Sequence, residues 1–175
     1  AGTDSDFALA RYNADGTLDA SFGNKGMVQT DINLDDRIND VALQSDGKIV
    51  VAGFSSGVVT SGALEFDFAL ARYNSSGSLD PSFGTNGIVT IRRGVYGTAQ
   101  RVLIMPDGKI VVGGATQDAL PGLSDFALFR LTATGALDPT FGTGGITVAD
   151  VAGDADAPRD FLAVSGKILA VGDTI

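Results

Sequence analysis

The sequence predicts an all-β fold, a β-propeller of four-stranded antiparallel blades, and three observations carry that prediction. A unit of roughly sixty residues recurs along the chain. Each unit reads as four short strands separated by turn signals, and no segment offers a capped helical pattern of any length.

The period emerges from self-comparison. Residues 6–28 read DFALARYNADGTLDASFGNKGMV, residues 67–89 read DFALARYNSSGSLDPSFGTNGIV, and residues 125–147 read DFALFRLTATGALDPTFGTGGIT. Phe7, Phe68 and Phe126 are spaced by 61 and then 58 residues. A second block follows each copy: VALQSDGKIVVAG at 41–53, VLIMPDGKIVVGG at 102–114 and the shortened FLAVSGKILAVG at 161–172. Gly47, Gly108 and Gly166 keep the same two spacings, so both blocks belong to one unit.

Within a unit, the first strand (a) is Val41 to Leu43, alternating with its neighbours as a half-buried strand does. Asp46-Gly47 is a hairpin signal, because Gly takes the positive φ of a tight turn without cost to a side chain. Strand b, Ile49 to Gly53, is apolar on both faces, as suits a sheet covered on both sides. Strand c runs from Asp67 to Tyr73 and the turn Asn74-Ser75-Ser76-Gly77 follows. The Leu-Asp-x-Ser/Thr-Phe-Gly step then leads to strand d, Gly87 to Arg92. Ala8, Ala10, Ala69 and Ala71 let neighbouring sheets approach where the wedges narrow, which favours radial stacking. A β-sandwich is the alternative fold, but it does not require near-identical repeats.

The resulting array over 1–175 divides into a half blade at 6–32, full blades at 37–92 and 98–151, and a half blade at 159–173. That is about three blades' worth of strands, whereas propellers use four to eight. The expectation is therefore either a fragment whose longer parent supplies the remaining repeats, or a head-to-tail homodimer closing a six-bladed ring.

Composition narrows the chemistry. Twelve basic residues against twenty-one acidic ones give a net charge of −9, which argues against nucleic acid as a partner. The longest apolar runs, such as Ile49-Val50-Val51-Ala52, are far too short to span a bilayer as a helix, so no membrane insertion is expected. With no Cys and no His, thiolate and imidazole catalysis and most zinc or copper sites cannot be built. The start of the chain has neither a signal-peptide pattern nor an initiator Met, which fits a mature exported chain and equally a piece of a longer one.

The motif DFALARYN, a turn Gly, Leu-Asp-x-Ser/Thr-Phe-Gly-x-x-Gly and a strand ending in Asp-Gly-Lys-Ile-Val-Val-Ala-Gly resembles the delta-sixty repeat of bacterial, often exported or surface, proteins. The resemblance covers nearly the whole chain and implies a propeller-like array at the outside or surface of a bacterial cell. It brings no catalytic motif. The third copy departs from it at Phe129, Leu131 and Ser165-Gly166-Lys167.

Internal repeats separate scaffold from function: positions shared by every copy serve the blade, and function lies where copies differ. Asp6, Asp67 and Asp125, with Arg11, Arg72 and Arg130, read as a repeated polar contact. Asp19, Asp80 and Asp138 read as turn caps, Phe22, Phe83 and Phe141 as core, and Lys48, Lys109 and Lys167 as solvated hairpin positions. The unlike segments are 54–65, 116–124, 33–36, 92–97 and 152–158, all connections of the b–c or d–a kind. In an up-and-down blade these five emerge on one face, the expected binding face.

On that face Arg92, Arg93 and Tyr96 are the candidate ligand-binding residues, able to hold an anionic or sugar group by guanidinium and ring. Asp150, Asp154 and Asp156 are a candidate Ca²⁺ ligand set without the Gly and closing Glu of an EF-hand. Asp35, Asp36 and Asp40 read as a solvated acidic segment. No catalytic residue and no organic cofactor are expected. The function expected is a non-catalytic scaffold recognising a protein or glycan; the alternatives are a glycoside hydrolase using an Asp pair and a self-assembling structural array.

Overall fold

The computed structural model describes residues 4–58, 62–117, 124–151 and 155–174. Among them there are twelve strands and no helix. β1 (Phe7–Ala10) and β2 (Met27–Thr30) form a two-stranded sheet. β3 (Asp36–Leu43), β4 (Ile49–Val58), β5 (Leu64–Tyr73) and β6 (Ile88–Ile91) form one antiparallel four-stranded blade. β7 (Tyr96–Ile104), β8 (Ile110–Gln117), β9 (Asp125–Leu131) and β10 (Ile146–Ala149) form the next. β11 (Asp156–Val164) and β12 (Lys167–Thr174) pair as a second two-stranded sheet. The fold is an all-β partial propeller.

The apolar pattern of strands b and c explains the stacking. Along β4, Val50 and Ala52 face the blade that follows, while Val51 faces the sheet that precedes. Along β5, Phe68 and Leu70 take the first side and Ala69, Ala71 and Tyr73 the second. All of these side chains are fully buried. Successive Cβ atoms of a strand point to opposite faces, so a continuous apolar run can fill two inter-blade layers. The Phe68 and Phe129 rings meet at 4.4 Å between the two full blades.

The first strands of consecutive blades are linked directly. Val102 N donates to Asp40 Oδ2 at 2.9 Å, and Arg101 bridges Asp40 and Asp160 at 3.3 and 2.7 Å. β3, β7 and β11 each carry a register shift two to three residues into the strand, at Ile38/Asp40, Ala99/Arg101 and Pro158/Asp160. The shared irregularity is a bulge built into every copy.

Two element boundaries differ from the sequence reading. Strand a begins at Asp36 rather than Val41, because its pairing with β4 continues past the bulge as far as Asp36 opposite Ser55. Strands b and c of the middle copy run on to Val58 and back from Leu64, so much of the expected 54–65 loop is a paired hairpin. Aromatic packing supports that extension: Phe54 meets Phe66 at 5.5 Å, and Phe66 meets Tyr96 at 5.3 Å. Tyr96 also pairs with Phe66 in parallel, which joins the two full blades edge to edge.

Candidate functional site

The two ends of the blades are built differently. At the end that carries the a–b and c–d turns, each copy repeats one ionic clasp. Arg11, Arg72 and Arg130 donate through Nε to Asp19, Asp80 and Asp138 at 2.8, 2.9 and 2.9 Å. The other carboxylate oxygen accepts from the amide and hydroxyl of Ser21, Ser82 or Thr140. Each guanidinium lies over Phe22, Phe83 or Phe141, 4.6–4.7 Å from the ring centroid.

The clasp also reaches the following copy. Arg11 donates to Ser75 O and Arg72 to Ala133 O. Gly23 N donates to Ser76 O at 2.8 Å, and Gly84 N to Thr134 O at 2.9 Å. The neighbouring turn covers Phe22 and Phe83, which are buried; Phe141, expected as core, is half-buried because no such turn lies over it among the described residues.

Lys48 and Lys109 are not the solvated hairpin positions the sequence suggested. Their Nζ atoms lie 3.1 and 3.0 Å from Asp80 and Asp138, completing the clasp from the a–b turn of the same blade. Burial opposes the charge on Asp80, but the Ser82 hydroxyl and amide, Lys48 and Arg72 outweigh it and hold the carboxyl far below the ordinary range. At Asp138 the Thr140 hydroxyl and amide, then Lys109 and Arg130, act the same way.

The opposite end, with the b–c and d–a connections, holds the differences. Arg92 follows β6 and pairs with Glu65 at 2.9 Å and Asp67 at 3.3 Å. Arg93 adjoins it, and the Arg93 carbonyl accepts from Thr116 Oγ1 at 2.9 Å. Tyr96 opens β7 against Phe66. Around this hairpin Val58, Leu64 and Val95 are 61%, 49% and 46% exposed, an apolar rim on an aromatic base.

The same end also gathers carboxylates. Asp6, Asp31 and Asp36 offer oxygens within 4.8 Å of one another, and so do Asp125, Asp150 and Asp156. Of the Ca²⁺ set read from the sequence, Asp150 and Asp156 come together; Asp154 lies outside the described residues. Asp36 is fully buried rather than solvated, and Asp40 is engaged by Arg101 and Val102 N. Asp125 was missed as a partner of Asp150, and so was the first-copy trio. The signal was in the repeat: both trios use the Asp at the start of the DFAL segment of strand c, the residue after strand d and the residue opening the next strand a.

Stacked antiparallel blades with a clasp repeated at one end define a β-propeller array. The chain belongs to the family described as a domain of unknown function (DUF5122) beta-propeller, whose pattern matches residues 1–22, 44–83 and 106–141, more than half of the chain. The matched residues contain all three Arg-Asp-Phe clasps. No curated protein matches the chain.

Proposed function

We propose that this chain is a non-catalytic propeller module that binds a protein through the b–c and d–a end. The observation that carries the reading is the hairpin of β4 and β5, whose pairing runs out to Val58 and Leu64 on an aromatic base and which presents Val58, Leu64 and the nearby Val95 to solvent. Clustered exposed apolar residues beside charged ones suit a protein interface better than a sugar site, which favours open aromatic faces. At the other end, the repeated clasp spends its charges internally. The lack of His and Cys anywhere in the chain supports a binding rather than a catalytic role.

The delta-sixty resemblance supports an exported or surface setting in a bacterium. Leu162, Val164, Leu169 and Val171 of β11 and β12 are each about half exposed, which supports stacking of a further blade there, from the same chain or from a second copy.

A photo-crosslinking residue placed at Val58, and separately at Asp107 in the opposite turn, tests the reading in the cells that make the protein. A discrete protein adduct from Val58 and none from Asp107 is the expected result. Adducts of equal yield from both positions, or from neither, refute it. Glycan retention that is lost in Arg92→Ser/Tyr96→Ala turns the assignment to sugar recognition.

A further inference from the structure

We propose that the two aspartate trios are divalent-cation sites of the Ca²⁺ type, each fastening one blade to the next. In the first, Asp6 stands just before β1, Asp31 just after β2, and Asp36 opens β3 of the following blade. In the second, Asp125 opens β9, Asp150 follows β10 and Asp156 opens β11. The two are one site built twice, at equivalent positions of separate copies.

A cluster of acids alone would not make a site, but each trio contains a buried carboxylate that is half satisfied. Asp36 is fully buried, and its Oδ2 accepts from the amides of Ile32 and Asn33 at 2.6 and 3.1 Å. Its Oδ1 is buried without a hydrogen-bond partner. Asp156 repeats this arrangement: it is fully buried, Oδ2 accepts from Val151 N at 2.7 Å, and Oδ1 has no partner. With Oδ2 held by the loop, Oδ1 is the oxygen left for the group. A buried carboxylate oxygen without donor or cation is costly, and native proteins satisfy such groups.

The middle copy supplies an internal comparison. Pairing Phe7 with Thr30, Phe68 with Ile91 and Phe126 with Ala149 places Asp31, Arg92 and Asp150 at one equivalent position. The bulges in β3, β7 and β11 align Asp36, Gly97 and Asp156. Asp67 alone remains of the trio there, and Arg92 reaches it as an ion pair at 3.3 Å. Where two carboxylates are replaced, Arg92 brings its own charge to the one that remains; the complete trios hold three carboxylates within reach of one ion.

The donor set selects the ion. All side-chain donors are carboxylate oxygens, and the chain has no His or Cys to offer a softer ligand, which suits a hard cation. Oxygens drawn from three separate strand ends make an irregular cage, which Ca²⁺ tolerates and Mg²⁺, needing a near-ideal octahedron, does not. The inference is independent of the protein-binding reading, although both concern the same end of the blades.

Calorimetric titration of CaCl₂ into the chelator-treated full chain tests it. Two equivalents are expected to bind, and a Mg²⁺ excess of about tenfold is expected not to displace them. Asp36→Asn and Asp156→Asn each remove one equivalent, and the pair removes both; Asp67→Asn leaves both. Asp31→Asn and Asp150→Asn, at exposed positions, give the same losses without touching buried groups. Added Ca²⁺ raises the Tm of the native chain but not that of Asp31→Asn/Asp150→Asn. Absence of binding at millimolar Ca²⁺, or two equivalents that survive Asp31→Asn/Asp150→Asn, overturns the proposal; displacement by Mg²⁺ overturns the choice of ion.

Discussion

Replacing the c–d turn glycine by alanine separates strain within a blade from packing between blades. Gly16, Gly77 and Gly135 occupy the same position of three copies, with φ of 85°, 89° and 88°. Alanine in that region costs about 1–2 kcal/mol wherever it is placed. At Gly16 a new Cβ would meet nothing within 4 Å. At Gly77 it would meet Val28 Cγ2 at 2.8 Å, Gly23 N at 2.9 Å and Phe22 Cε2 at 3.0 Å. At Gly135 the neighbours are Phe83 Cε2 and Val89 Cγ2 at 2.9 Å and Gly84 N at 3.0 Å.

The turn cannot simply retreat, since Gly23 N and Gly84 N are bonded to Ser76 O and Thr134 O of those same turns. Overpacking adds about 1–3 kcal/mol to the strain. Gly77→Ala and Gly135→Ala should therefore lose about 2–5 kcal/mol, against about 1–2 for Gly16→Ala. Urea unfolding at unchanged m-value measures the differences. Three equal losses would refute the account of the turn as an inter-blade contact.

The remaining predictions concern the clasp. Phe83→Ala should cost about 3–5 kcal/mol as a core cavity, and Phe141→Ala, at a half-buried position, about half of that by the same urea assay; equal losses would count against the covering role of the next turn. The depressed carboxyls of Asp80 and Asp138 have folded pKa values below the unfolded value of about 3.9, so the stability they contribute is present above that pH and lost as pH falls through the folded values. Stability measured from pH 5 downward should fall steeply in the native chain and less steeply in Asp80→Asn/Asp138→Asn, which starts lower at neutral pH; parallel slopes would contradict the assignment.

Much of the blade is legible in the sequence because strand b and the Asp-Gly turn are local features. Val50 and Val51 must both be buried, and a strand between two layers is the simplest way to do it. What was not legible depends on partners distant along the chain. Lys48 reads as an exposed hairpin residue until the c–d turn brings Asp80 to within 3.1 Å of it. Phe54-Ser55-Ser56-Gly57 has a poor strand composition, and partners distant in sequence keep the ladder running: Phe66 packs beside Phe54 and Tyr96 beside Phe66, and Asn33 and Asp35 hold Ser55 and Ser56 by hydrogen bonds. The trios were harder still, because Asp6 and Asp31 meet across a strand pair and Asp36 arrives from the next blade. Reading Asp150-to-Asp156 as one local loop found two members and could not find Asp125.

The clasp also accounts for why variation collects at one end. Arg11 and Arg72 each serve their own Asp and a carbonyl of the following copy, and Gly77 and Gly135 each admit the Phe of the preceding one. A change in any of these groups therefore perturbs two blades at once, so the nearest-neighbour coupling of a repeat array holds the a–b and c–d end to a single solution. At the b–c and d–a end the joint needs less: a backbone contact such as Asp36 N to Ser5 O and one balanced charge group. Three carboxylates around a cation and Asp67 with Arg92 are two chemically different ways to balance it. Because either satisfies the joint, the middle copy was free to pair its hairpin out to Val58 and Leu64 and expose both without weakening the stack. The freedom that would permit the proposed binding surface and the freedom that would permit the proposed cation sites thus have one structural origin.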